Sequence, residues 1–220
     1  MLLARLLFVV VSFPAFASIQ SSPIEWEPVG NKKGVELFRR DSPGDVVELK
    51  GVGTIDAPLW KVAATLLDTE RAPEWVDSLE RSSVVRRIDR NTYVEYNHIG
   101  TPFFLKDRDF VSLVKIEVDP AAKTFALRYQ PTDDSVGDEG HIRGEIKPAI
   151  FKLTSLDTNH TQLTGEIHCD PKGTIPKWLV NFFQSDWALV TVTALREQTA
   201  KSEVRIPAEF ADVLSPTLAF

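Results

Sequence analysis

Phe110-Val111-Ser112-Leu113-Val114-Lys115-Ile116-Glu117-Val118, and then, past Asp119-Pro120, Thr124-Phe125-Ala126-Leu127-Arg128-Tyr129, is the stretch that decides the fold. Two runs rich in β-branched and aromatic residues flank a turn, and they read as a long antiparallel hairpin. Working outward, the same grammar recurs. Ser83 to Ile88 and Tyr93 to Asn97 read as strands joined by Asp89-Arg90-Asn91. Val35 to Phe38 and Val46 to Ile55 flank Asp41-Ser42-Pro43-Gly44-Asp45, which is strong turn chemistry. Gly51 and Gly53 share one face of the second of these strands, a pattern that lets another element approach the backbone closely. Downstream, Pro131 to Gly140 is polar and acidic and reads as a solvated loop. Strands follow near His141 to Ile150 and Phe151 to Leu156, with Pro148 leaving their boundary open. Asp157-Thr158-Asn159-His160 is a further turn, and Gln162 to His168 reads as the last strand.

Helical signals are few. Asp56 is placed to cap a helix with Pro58 in its first turn, and Trp60, Val62, Ala63, Leu66 and Leu67 repeat at helical spacing. A short helix is expected after Pro73, through Glu74-Trp75-Val76 to about Leu79. A long helix is expected from about Ile175 to Ala200, with Trp178, Leu179, Phe182, Phe183, Leu189, Val190 and Leu195 among its apolar positions. Strands segregated from helices argue an α+β class. A curved antiparallel sheet needs its apolar face covered, and the C-terminal helix is the one element long enough. A sheet closed by a single helix leaves space between them, which is a natural ligand cavity.

The N-terminus reads differently. Arg5 precedes the apolar run Leu6 to Phe13, Pro14 ends it, and Ala15-Phe16-Ala17 has the small-x-small form of a signal-peptidase site. Residues 1–17 are therefore expected to be a cleaved export signal, and 18–25, rich in Ser, Pro and Gln, a flexible lead-in. The run is shorter than the roughly 20 residues that span a bilayer. The expected location is the periplasm of a Gram-negative cell, or otherwise the outside. A formal charge of -6 argues against a nucleic-acid partner, whose footprint is basic. Cys169 stands alone, so no internal disulfide can form, and 43% hydrophobic residues must hold the fold unaided.

No G-x-S-x-G, H-E-x-x-H or P-loop signature is present. His168-Cys169-Asp170 contains three ligand types, but adjacent strand residues point to opposite faces, which argues against a metal site there.

Three segments together resemble the START family of lipid-transfer domains. They are Trp75-Val76 with the following Val84-Val85, Arg108-Asp109-Phe110-Val111, and Asp170-Pro171-Lys172-Gly173-Thr174-Ile175-Pro176-Lys177 with Asn181. Each motif is weak singly; in order and at this spacing they are fairly specific. The resemblance covers residues 26–201, with 202–220 left as a C-terminal tail. It implies a helix-grip fold: a curved antiparallel sheet closed by a long C-terminal helix around an internal cavity for a lipid or other apolar small molecule. It implies no cofactor and usually no catalysis; a monomer with transient membrane contact is the expected state. Some sterol-binding members pair a cavity Glu with an Arg six residues after the Arg of the Arg-Asp-Phe-Val motif. Glu95 matches the acid, but Val114 stands at the basic position, which weighs against a sterol.

The ligand-binding candidates are Trp75, Tyr93, Glu95, Asn97, Phe103, Phe104, Arg108, Arg143, Trp178 and Phe182. Phe103-Phe104-Leu105 after Gly100-Thr101-Pro102 reads as an apolar gate at the entrance, with simple packing on the last helix as the alternative. Arg108 reads either as an ion pair with its neighbours Asp107 and Asp109 or as an anion clamp. His141 and Arg143 share one strand face, toward solvent or toward the cavity. Glu95 is expected either to find Arg108 or Arg143, or to have a raised pKa and anchor a ligand head group. The competing reading is a helix-grip enzyme of cyclase or hydrolase type, for which Glu95 with His141 or Arg143 is the sole combination the sequence offers.

Overall fold

A computed structural model of the chain describes residues 25–41, 47–101, 105–136, 140–175 and 186–214. The expected export signal, the tip of the first turn, Phe103, Phe104, Trp178 and Phe182 lie outside the described residues. The central hairpin is present and longer than expected: β6 spans Arg108–Asp119 and β7 Thr124–Pro131, in register from Asp119↔Thr124 to Ser112↔Pro131. Around it stand β1 (Glu27–Lys32), β2 (Val35–Arg40), β3 (Glu48–Ile55), β4 (Leu79–Asp89), β5 (Thr92–Ile99), β10 (Ala149–Ser155) and β11 (Thr161–Ile167). The sheet order is β1-β2-β3-β11-β10-β7-β6-β5-β4, with antiparallel neighbours throughout. The fold is α+β, as expected.

One strand was not expected. Glu27–Lys32 has every residue exposed, so no apolar alternation marks it; it is an edge strand carrying Pro28 and a bulge at Gly30. The strand expected over 141–150 is instead two short pieces with different partners. β8 (Ile142–Arg143) runs parallel to β6, and β9 (Glu145–Ile146) pairs with β12 (Cys169–Asp170). Gly144 divides them, and a Cβ there would lie 2.2 Å from the Phe110 ring, so the chain turns where that ring sits.

The first helix, α1 (Leu59–Leu67), begins after Pro58, which holds the capping position with an extended ψ of 147°; Asp56 lies outside it and no side chain caps the end. The short helix is a single 3₁₀ turn, Ala72–Glu74, and Leu79 already belongs to β4. Within the described residues the closing helix, α2, runs Trp187–Ala200, and Ile175 is not helical. Glu74 joins the two ends of this layer by accepting from Gln198 Nε2 and pairing with Lys201, both at 3.0 Å.

α2 seats directly on β3. A Cβ on Gly51 would lie 2.6 Å from Ala188 Cβ, and one on Gly53 2.8 Å from Val192 Cγ1. The two glycines therefore serve the close approach that their shared face suggested. Val192 and Leu195 are buried against α1 and the sheet, each contributing about 1.5–3 kcal/mol. The segment 202–220, expected as a tail, is partly folded: Ala208–Phe210 is a 3₁₀ turn and α3 spans Ala211–Leu214. Phe210, Val213 and Leu214 are buried in the main core, with the Phe210 ring 5.1 Å from that of Tyr93. Their spacing of three and four residues is the signal that would have found them.

Candidate functional site

Beside the first turn of α2, toward β4, β5 and β6, the sheet and the helix leave a gap. The gap is a cavity of about 610 Å³, within the roughly 300–1,000 Å³ typical of small-molecule sites. β4, β5 and β6 supply one wall through Leu79, Ser82, Glu95, Asn97, Arg108 and Phe110. Trp75 and Val76, set by the 3₁₀ turn, and Trp187 and Thr191 of α2 close the other sides. The period-2 alternation of a strand explains the selection. On β5, Glu95, Asn97 and Ile99 face inward; on β6, Arg108 and Phe110 do so, while Asp109 and Val111 face away.

Four of the sequence candidates meet here: Trp75, Glu95, Asn97 and Arg108. Tyr93 does not. It shares Glu95's face but lies deeper, fully buried in the core against Phe210. Arg143 does not either, because it points off the outer face and grips the buried Asp109 with two bonds, Nε–Oδ1 at 2.8 Å and Nη2–Oδ2 at 3.0 Å. Leu105, the described member of the expected gate, lines the cavity beside Gly100 and Thr101. Several lining residues escaped the sequence reading, among them Leu66, Tyr129, Phe151, Ile167 and Cys169. Nothing local distinguishes them from core.

The polar groups in the cavity are informative. Glu95 is 5% exposed and accepts from Asn97 Nδ2 at 2.6 Å. Burial pushes its carboxyl up to about 7, against the smaller opposing pull of Asn97 and then of the Tyr93 hydroxyl. That hydroxyl stands near the carboxyl but has no hydrogen bond of good geometry. Neither arginine proposed as its partner reaches Glu95. Register places Glu95 opposite Ser112 and Arg108 opposite Ile99, four steps or about 13 Å apart along the strands. Arg108 is 3% exposed, donates through Nη1 to the Lys106 carbonyl, and leaves Nε buried without a partner. Among the described residues it makes no ion pair with Asp107 or Asp109, because adjacent strand side chains diverge. The Trp75 indole Nε1 is likewise buried and unpartnered. Burial pushes the Cys169 thiol up to about 12, far from nucleophilic range.

Two of the recognised motifs converge on Arg108. Gly173, at φ +70°, presents the position of its missing Cβ 3.7 Å from Arg108 Nη2 and 3.0 Å from Ile142. A side chain there would be both strained and crowded.

Comparison with known proteins agrees with this fold. The START domain model matches residues 17–198. An uncharacterised protein of Pseudomonas aeruginosa is 23% identical over 180 residues, covering 80% of this chain and 88% of that one. The crystal structure of a STAR-related lipid transfer protein fragment from Xanthomonas axonopodis superposes with a TM-score of 0.69 at 22% identity, over 80% of this chain and 99% of the other. Human StAR-related lipid transfer protein 5 gives 0.72 at 19% identity, over 80% and 86%.

Proposed function

The chain belongs to the START domain family, and from that premise we propose that it carries a lipid or similarly apolar molecule in the cavity between β4–β6 and α2. The observation that carries this reading is the wall itself. It is mostly apolar and roomy, yet it holds two buried ionisable groups, Glu95 and Arg108, too far apart to neutralise one another. A buried polar group without a partner costs free energy unless a ligand satisfies it. The fitting ligand has an apolar body and oxygen-bearing polar ends: an acceptor for Arg108 on the mouth side, and a hydroxyl or carbonyl for the half-protonated Glu95 deeper in.

The catalytic alternative loses its pair. His141 and Arg143, the partners that would have made an acid–base couple with Glu95, lie off the cavity, His141 stacked on the His98 ring and Arg143 bound to Asp109. A carboxyl near 7 still suits acid–base work, but the shifted groups that face it, the Tyr93 and Tyr129 hydroxyls, are pushed up by burial and by the carboxyl itself, away from the range of proton exchange near neutral pH.

Residues 1–17 motivate the further proposal that the carrier works outside the cytoplasm, where an apolar molecule crossing water needs shielding. Mature protein should begin at Ser18; a different N-terminus, or the full chain retained in membranes, counts against this. Binding is tested by native mass spectrometry of protein purified from its own host, together with uptake of a fluorescent fatty acid and a fluorescent sterol. A defined bound mass is expected. Arg108→Met should weaken the fatty acid at least tenfold while leaving the sterol unchanged. No adduct and no uptake of either probe would overturn the carrier reading.

A further inference from the structure

On the opposite face of β5 from Asn97, a second polar cluster is assembled that the cavity does not use. His98 Nε2 lies 3.1 Å from Asp107 Oδ2. His141 stacks on the His98 ring with centroids 4.1 Å apart and planes 16° from parallel. Its Nδ1 is buried and has no partner. One ligand atom each from His98, Asp107 and His141 can be chosen so that all lie within 4.8 Å of one another.

The backbone holds this arrangement in place. β8 runs parallel to β6 with Ile142 opposite Arg108, and the Ile142 N–H donates to the Asp107 carbonyl at 2.9 Å, so His141 is brought beside Asp107. The Thr101 N–H donates to Asp107 Oδ1 at 2.8 Å, which orients the carboxylate and leaves Oδ2 toward His98. The β4–β5 register shifts between Leu79 and Arg81, and this bulge turns Glu80 onto the other side of His98, its Oε2 3.7 Å from Nδ1.

We propose that His98, Asp107 and His141 form a binding site for a divalent transition-metal ion of the zinc class, separate from the lipid cavity. Two imidazoles and one carboxylate match that borderline chemistry, whereas calcium and magnesium take all-oxygen sets. Metal–ligand bonds of about 2.0–2.1 Å in a tetrahedron set ligands about 3.3 Å apart. The His98–Asp107 pair is already at that spacing. His141 has to turn its ring out of the stack with His98, because the nitrogen lone pairs of two parallel rings do not meet at one ion. Glu80 then takes the role of the carboxylate that orients a metal-bound histidine through its other nitrogen. Three protein ligands leave a fourth position for water or an external donor. An ion here would tie β5, the approach to β6 and the approach to β8 into one unit, beside the cavity-lining Gly100, Thr101 and Leu105. The site does not depend on what the cavity carries.

The test uses the whole chain, stripped with a chelator and titrated with Zn(II) by calorimetry and with Co(II) by visible absorption. One ion per chain with micromolar or tighter affinity, a thermal midpoint raised by several degrees, and the intense bands of four-coordinate cobalt are expected. His141→Gln and Asp107→Asn should each lower affinity at least tenfold. Variants at the other two histidines of the sequence, His160→Ala and His168→Ala, should leave it unchanged. The cobalt spectrum of the unaltered chain needs no variant to fold. A weak, hexaaquo-like spectrum, absence of stoichiometric zinc binding, or binding that survives His141→Gln and disappears in His168→Ala would overturn the proposal.

Discussion

The two sides of the helix–sheet interface are built on opposite plans. Where α2 crosses β3 and β11, Gly51, Gly53 and Gly165 remove side chains from the sheet, and Ala188 and Val192 rest nearly on its backbone. That junction, with Leu163, Phe151 and Trp187 around it, closes without room for a water molecule. Toward β4, β5 and β6 the same sheet carries large or polar side chains instead, and a cavity of about 610 Å³ opens beneath the same helix. The dry side holds the domain together; the hollow side keeps space and two buried ionisable groups, Glu95 and Arg108, that do not neutralise each other. Small residues in one half of a sheet thus act as the anchor that lets the other half stay open.

The sharpest way to break this contrast is to add the same side chain on both sides. Gly51→Leu drives a branched chain into Ala188, including its backbone Cα at 3.5 Å from the added Cβ. It should cost about 3 kcal/mol in urea unfolding, the upper end of what overpacking costs. A well-folded Gly51→Leu protein with near-normal stability would show that the glycine seat is not what holds α2.

Next in size is the cost of the buried acid. The Glu95 carboxyl titrates near 7 in the folded chain, against an ordinary 4.5. Between those values the folded state keeps a proton that the unfolded state has released, so stability falls as pH rises through that window and levels off above about 7. The total is up to about 3 kcal/mol. Glu95→Gln removes the charge and keeps the shape; it should stabilise the protein at pH 8, do little at pH 4, and flatten the slope between. An unchanged slope in Glu95→Gln would mean that the carboxyl is solvated or paired after all.

The smallest stability effect is expected from Ala149→Leu. Ala149 shares its strand face with the wall residue Phe151 and lines the cavity. The added atoms have space to enter, so stability should shift by no more than about 1 kcal/mol. Apolar-probe affinity should nevertheless fall at least tenfold. Loss of stability comparable to that of Gly51→Leu would erase the distinction between the two sides.

Much of the framework was legible in the chain, for reasons that differ by element. Strands β4 to β7 and β11 carry β-branched and aromatic residues between clear turns, and each is present with its ends shifted by a few residues. β1 was silent because an edge strand with every residue exposed has no face to mark. The span 141–150 misled because its residues have strand character while their partners, β6 and β12, are set by distant contacts. In the cavity, Glu95 and Asn97 were legible together because a strand side chain and its second neighbour share a face, while Trp75 and Arg108 were legible through the motifs that resemble the family.

By itself, then, the sequence determined the α+β class, the inward face of β5 and the pairing of glycines at Gly51 and Gly53, since these follow from local backbone geometry. Only the tertiary structure decided that Tyr93 belongs to the core, that Arg143 answers Asp109 and not Glu95, and that His98, Asp107 and His141 meet. Those outcomes depend on where the sheet parts from the helix and on which loops converge. Both are fixed by contacts between residues tens of positions apart, and no local pattern encodes them.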